Sequence, residues 1–244
     1  MDSASLQHRT IRRFKPVKID YRALEDAARA TSTSEFLQSF TLIRITKPEL
    51  RAAISKISGS LALRQDNGEL FIFVVDTGRD IRLTEPGSNV HTFTNWNAFL
   101  AGAFDATLAV QNVLATAERS GMGGVVLGSI LNDPQQMIDL LHLPKYTFPL
   151  LGLMVGVPET VPDQKPRLPR QLVVGEDSYP TFQADAMADY DQAISDYYTS
   201  RGSNARPETF TSLVRRHLGA DQKHRDEIGA ILKAQGFEMP QELK

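Results

Sequence analysis

Four side chains that can carry positive charge, His8, Arg9, Arg12 and Arg13, fall within the stretch HRTIRRF. A second basic pair, Lys165 and Arg167, lies in DQKPRLP, inside Val157 to Arg170, a stretch with four prolines in fourteen residues. Prolines fix φ, so cations there are held at little ordering cost. Arginine offers a bidentate fork and lysine a point charge, and two preorganised basic clusters suit a phosphate dianion. A charged helix end or a solvated loop would use the same residues, and residue type alone leaves both readings open. The chain has no cysteine, which excludes disulfides, thiol nucleophiles and Cys-ligated metal. Its histidines, at 8, 91, 142, 217 and 224, lack metal-ligand spacing, so no metal site is expected.

These groups must be positioned by a chain of 244 residues with 41% hydrophobic and 23% charged residues, an ordinary globular composition. Such a length buries enough surface for one large domain or two small ones without staples. A net charge of -2 argues against wholesale nucleic-acid binding. The opening MDSASLQ has no apolar signal core, and no apolar run reaches the roughly 20 residues of a membrane span. A cytoplasmic protein with no membrane partner is expected.

Local patterns give the elements. Tyr21 to Ala30 reads as an amphipathic helix entered from Asp20, and Pro48 opens another in PELRAAISKI. Ser39 to Thr46 alternates like a strand, while Leu70 to Asp76 and Phe148 to Gly156 are continuous apolar runs suited to strands buried on both faces. Asn97 to Gly121 predicts a long helix, apolar nearly all round, ended by a C-cap glycine. Its cover could be the rest of one domain or a second subunit. Gly123 to Ser129 is a short strand running into a glycine turn, and Asp133 with Pro134 caps a helix in NDPQQMIDLLHL. Beyond the proline-rich stretch, LVV predicts a short strand, and Gln183 to Ser200, Pro207 to Leu218 and Asp221 to Gln235 predict three helices. Interleaved helices and strands with no GxGxxG fingerprint point to an α+β layer structure rather than a doubly wound nucleotide-binding fold.

Five blocks, HRTIRRF, ARATSTSEFLQSFTLIRIT, SGMGGVVLGSILND, DQKPRLP and YYTSRGSNAR, run in this order from His8 to about Arg216. With them the chain resembles the FMN-dependent nitroreductase family, in the branch of the major oxygen-insensitive NADPH nitroreductases and flavin reductase P. The resemblance implies a single nitroreductase-like α+β domain over 1–244, with an FMN-binding core at 1–170 and a helical C-terminal extension at 171–244. It implies a central, mostly antiparallel sheet flanked by helices in a strand-exchanged homodimer with an FMN at each of two interface sites, which would cover the long apolar helix.

By position, the resemblance assigns His8, Arg9 and Thr10, with Lys165 and Arg167, to the FMN phosphate. Arg12 falls beside the flavin ring, Thr33 and Ser34 near the cofactor, and the turn Val126, Leu127, Gly128, Ser129 near the reactive N5. Arg201 and Arg206 match the positions that bind the 2′-phosphate of NADPH. The implied activity is ping-pong transfer of two electrons from NADPH to a small-molecule acceptor such as a nitroaromatic or quinone. The cofactor carries the chemistry, so no catalytic side chain is expected. A dedicated NADPH flavin reductase and a non-enzymatic flavin-binding redox module are the alternatives. Leu61 stands where relatives carry Gln, with Gln65 out of register; Val126 and Ser129 replace Tyr and Gly of a Tyr-Ile-Gly-Gly turn; Asn97 stands where Glu is frequent.

Overall fold

The computed structural model describes residues 4–201, 205–219 and 224–239. They form two compact units, one of residues up to Pro162 together with those from Arg225 onward, the other Asp163–His224.

The larger unit is built on four strands: β1 Phe40–Ile45, β2 Glu69–Asp76, β3 Gly123–Leu127 and β4 Thr147–Gly156. They pair in the order β1-β2-β4-β3, every pairing antiparallel. The apolar run of β2 divides by alternation. Leu70, Ile72 and Val74 face one core with Ile54, Ile130, Met137 and Met154. Phe71 and Phe73 face a second core with Leu24, Ala106, Val110 and Val113. A strand with no polar face thus sits between two layers, as its composition predicts.

Helices supply those layers. Beside the second core lie α1 (Tyr21–Arg29), capped by the Asp20 side chain, and, after α2 (Pro48–Ser58) and the single turn α3 (Gly78–Ile81), the 24-residue α4 (Trp96–Arg119). Asn95 caps α4 by accepting from the Ala98 N–H, and Gly121, at φ 75°, turns the chain out of it. α4 buries Ala98, Gly102, Asp105, Ala106, Ala109, Val110, Val113, Leu114 and Ala117. On its other side Trp96, Leu100, Phe104 and Leu108 are between 43% and 62% exposed. The first core is covered by α2 and by α5 (Pro134–Leu140), which Asp133 caps. The expectation that no stretch is apolar enough to span a membrane is corrected: Val90–Arg119 has the length and composition to do so. Here one side of that helix is packed on the sheet and buries a carboxylate, as a core helix does.

The second unit holds α6 (Arg170–Val173), α7 (Ala184–Thr199) and α8 (Phe210–Gly219). Tyr190, Ile194 and Tyr198, one turn apart on α7, form its core with Phe210 packed alongside. LVV, expected as a strand, lies largely in α6, where the Val174 N–H donates to the Arg170 carbonyl. No strand of this unit is present among the described residues to pair with it, and a short apolar run takes the structure its neighbours allow. α8 begins three residues later than expected because Thr209 and Ser212 cap each other: the Ser212 N–H donates to Thr209 Oγ1 and the Thr209 N–H to Ser212 Oγ, both at 3.0 Å. The last helix, α9 (Ile228–Ala234), belongs to the first unit, where Ile231, Leu232 and Phe237 join the first core. It starts well after Asp221: residues 221–223 lie outside the described ones, and Arg225, at φ 61°, is in the left-handed region.

Candidate functional site

HRTIRRF is an extended segment seated on the sheet margin. The Ile11 N–H donates to the Gly124 carbonyl at 2.9 Å, Thr10 makes a parallel bridge to Gly124, and Phe14 bridges Pro158. Ile11 and Phe14 are the buried pegs. Ile11 covers Gly123, and Phe14 lies on Gly68 and Gly156, where an added Cβ would come within 2.9 and 2.8 Å of its ring. The segment is thus held by its apolar residues, which leaves its cations for other work.

His8 and Arg9 occupy the start of this segment. His8 Nδ1 meets Glu118 Oε1 of α4 at 2.5 Å, with the Glu118 side chain 11% exposed. Arg9 donates from Nη1 to the Gln7 carbonyl at 2.8 Å, while its Nε is buried with no hydrogen-bond partner among the described residues. A buried donor left unmade costs about 1–3 kcal/mol, more when charged, so this one marks a place for an acceptor. A phosphate oxygen suits this donor, which is cationic and directly precedes Thr10.

At the end of β3, Val126 is 41% exposed and Leu127 is buried. A Cβ built on Gly128 would meet nothing within 4 Å, which leaves that backbone approachable. The hydroxyl gained at Ser129 pairs with Ser58 Oγ at 2.5 Å, so this departure from the family turn is absorbed by α2. Sequence reading missed Arg225, whose Nη2 donates to the Gly128 carbonyl at 3.1 Å across 97 residues. No local signal connects those positions.

Arg12 and Leu61 line one open pocket of about 600 Å³ with Arg13, Phe14, Arg64 and Gln65. Leu61, 69% exposed, offers that pocket no hydrogen-bonding group. Gln65 does not replace the missing amide: its Nε2 donates to the Arg12 and Ala62 carbonyls and its Oε1 accepts from the Phe14 N–H. Asn97 is exposed in the first turn of α4.

Thr33 and Ser34 open a loop that Asp105 grips from α4. This carboxylate, 1% exposed, accepts the Ser34 N–H at 2.9 Å on one oxygen and the Ser39 N–H at 3.0 Å on the other. Between those anchors Glu35, Phe36 and Gln38 have φ of 51°, 62° and 55°, and Phe36 is 82% exposed. A second cavity, about 310 Å³, lies beside this loop against α4, lined by Thr31, Ser32, Leu108, Gln111 and Asn112 among others.

In the second unit, Lys165 and Arg167 are tied together by the Arg167 Nη1 bond to the Lys165 carbonyl at 2.8 Å, and Tyr190 Oη donates to the Pro166 carbonyl. The Tyr198 ring collects three cations: Lys165 Nζ at 5.3 Å, Arg201 Cζ at 5.8 Å and Arg206 Cζ at 4.4 Å. Arg206 also donates from Nε to Glu208 at 2.6 Å, a bond that raises the arginine's pKa and lowers that of Glu208. The unit therefore brings Lys165, Arg201 and Arg206 to one aromatic side chain. Of the motif between the two arginines, Gly202 to Asn204 lies outside the described residues.

Residues 6–157 match the model of the nitroreductase family, and residues 165–240 that of the nitroreductase family, C-terminal domain. The chain is 39% identical over 233 residues to the oxygen-insensitive NADPH nitroreductase of Salmonella typhimurium, covering 94% of this chain and 95% of that one. It is 33% identical over 240 residues to the FMN reductase (NADPH) of Bacillus subtilis, covering 95% and 96%. The solved structure of the NfrA1 nitroreductase from B. subtilis superposes with a TM-score of 0.87 at 32% identity, over 96% of this chain and 98% of the other. The antiparallel sheet between helical layers is thus a nitroreductase-like α+β fold. The chain belongs to the nitroreductase family.

Proposed function

We propose that this protein is an NADPH-dependent FMN oxidoreductase that passes two electrons to small acceptors such as nitroaromatics and quinones. The observation that carries the reading is the buried Nε of Arg9, unpartnered among the described residues, in a segment pinned to the sheet beside β3. Relatives named NADPH nitroreductase and FMN reductase (NADPH) support it.

FMN, when bound, supplies hydride chemistry in two half-reactions, taking electrons from NADPH and giving them to the acceptor. The chain's own residues bind and orient. His8, Arg9 and Thr10 would hold the phosphate, and the family resemblance alone adds Lys165 and Arg167 to that role. Arg12 places positive charge at the ring's pyrimidine edge, where reduction would add negative charge. Val126 to Ser129 bring backbone close to the reacting face, with Gly128 open to it. Thr33 and Ser34 contribute from the loop that Asp105 holds. Arg201 and Arg206 select the donor through its 2′-phosphate.

The working molecule is a cytoplasmic homodimer with exchanged strands. Trp96, Leu100, Phe104 and Leu108, four residues apart along α4, form the apolar row that a second subunit would cover. Each chain is one domain, with an FMN-binding core at 1–170 and a helical extension at 171–244.

The test is the visible spectrum of the purified protein before and after anaerobic NADPH. A yellow protein that NADPH bleaches and a quinone recolours is the expected result. A protein that purifies colourless and takes up no added FMN overturns the cofactor assignment, and a yellow protein that NADPH leaves unchanged is a binding module without turnover. The relative named FMN reductase keeps a second reading in view, in which free FMN is the acceptor. Kinetics with free FMN as the varied acceptor, against quinones and nitro compounds, separate the two.

A further inference from the structure

Glu208 is 4% exposed, yet it carries a carboxylate in a loop between α7 and α8. Both its oxygens are occupied. Oε2 accepts from Arg206 Nε at 2.6 Å, and Oε1 accepts from Arg216 Nη1 at 2.7 Å, with Arg216 Nη2 at 3.4 Å from Oε2. Arg206 is held from a second direction by the Tyr198 ring, 4.4 Å from its guanidinium carbon. One nitrogen and one face of that guanidinium are therefore fixed. Its Nη1–Nη2 edge, the edge that forms a bidentate fork to phosphate, is taken by no acceptor among the described residues.

A surface arginine normally loses much side-chain freedom when it captures an anion. Arg206 has lost that freedom before any ligand arrives. The neighbouring Arg201 is placed by the same aromatic pair, 5.5 Å from the Tyr197 ring and 5.8 Å from that of Tyr198. We propose that Glu208 is a positioning residue for donor specificity: with Tyr198 it locks Arg206 so that its outer edge meets the 2′-phosphate of NADPH. Glu208 touches neither donor nor cofactor in this scheme and acts through Arg206. The inference rests on the reading of Arg206 as a donor-phosphate ligand.

The opposite role is physically possible for an anion in this place. A carboxylate beside the arginines could compete with the phosphate, in which case its removal would tighten NADPH binding. Burial and the double arginine bond favour positioning, because a side chain so placed does not swing out to make room.

The experiment measures dissociation constants of NADP+ and NAD+ for the FMN-loaded protein, without turnover, for the parent and for E208A, E208Q and R206A. E208A is expected to weaken NADP+ about tenfold, the effect of refreezing one long side chain, and to leave NAD+ within about twofold. E208Q keeps one carbonyl acceptor and is expected to fall between. In steady state the loss should appear in KM for NADPH with kcat unchanged. Retained NADP+ selectivity in E208A, with R206A losing it, overturns the positioning role and leaves the phosphate site standing. Retained selectivity in R206A removes the site itself. Tighter NADP+ binding in E208A, or equal losses for both nucleotides, also overturns the proposal. Should E208A fail to fold, the nearly isosteric E208Q decides, with parental selectivity counting against.

Discussion

Arg9 joins local order to ligand chemistry in one side chain. Ile11 and Phe14 seat the segment, Gln7 takes one guanidinium nitrogen, and the Nε is buried without an acceptor among the described residues. The protein bears the cost of that orphan donor unless an anion relieves it. Arg9→Ala should therefore lower FMN affinity by about 1.5–3 kcal/mol, the range for a hydrogen bond to a charged group, measured by fluorescence titration of free FMN into the apoprotein. The same substitution should leave thermal stability of the apoprotein unchanged or slightly raised. A variant that keeps parental FMN affinity would remove Arg9 from the cofactor site. The basic character of this stretch was legible in the residues alone, and its resemblance to a known motif named the ligand. What could not be read was the support beneath it. Glu118 meets His8 across 110 residues and Gln65 meets Arg12 across 53, and no periodicity records such pairs.

The loop after α1 shows how one element disciplines another. Three non-glycine residues at positive φ between Ser34 and Ser39 are strained, at roughly 1–3 kcal/mol each, and persist only where surroundings over-determine them. Asp105 does so from α4, with an N–H on each oxygen. Asp105→Ala should cost about 3 kcal/mol in urea unfolding, because two backbone donors lose a charged acceptor. Asp105→Asn should lose about half of that, since its amide can accept only one of them. Unaltered stability in both would show that the loop holds its shape without the clamp. Elements governed by short-range signals were readable: the Asp20 cap, Pro48 at the first turn of α2, the Asp133–Pro134 start of α5 and the glycine after α4. LVV was not, because a short apolar run suits helix and strand equally and only the absence of a pairing strand decides. Asp105 in the middle of an apolar helix gave a signal, a lone buried carboxylate, without saying which backbone it serves.

At the scale of the molecule, the long helix has two apolar sides and the described residues cover one of them. Leu100, Phe104 and Leu108 stand half-exposed in a row that water disfavours. Light scattering should give about twice the 27.1 kDa chain mass. Phe104→Glu should shift the population to monomer and release flavin with it, since the cofactor sites are proposed to lie between subunits. A flavin-loaded monomer of the parent protein at low concentration would overturn the dimer. Residues 10 to 15 are held by partners at Gly123, Gly124, Gly156, Val157 and Pro158. Contacts so distant along the chain form late, after the intervening strands have closed. The segment at residues 10 to 15 is therefore synthesised well before the groups that seat it, and its docking waits until synthesis has passed Pro158, just beyond β4.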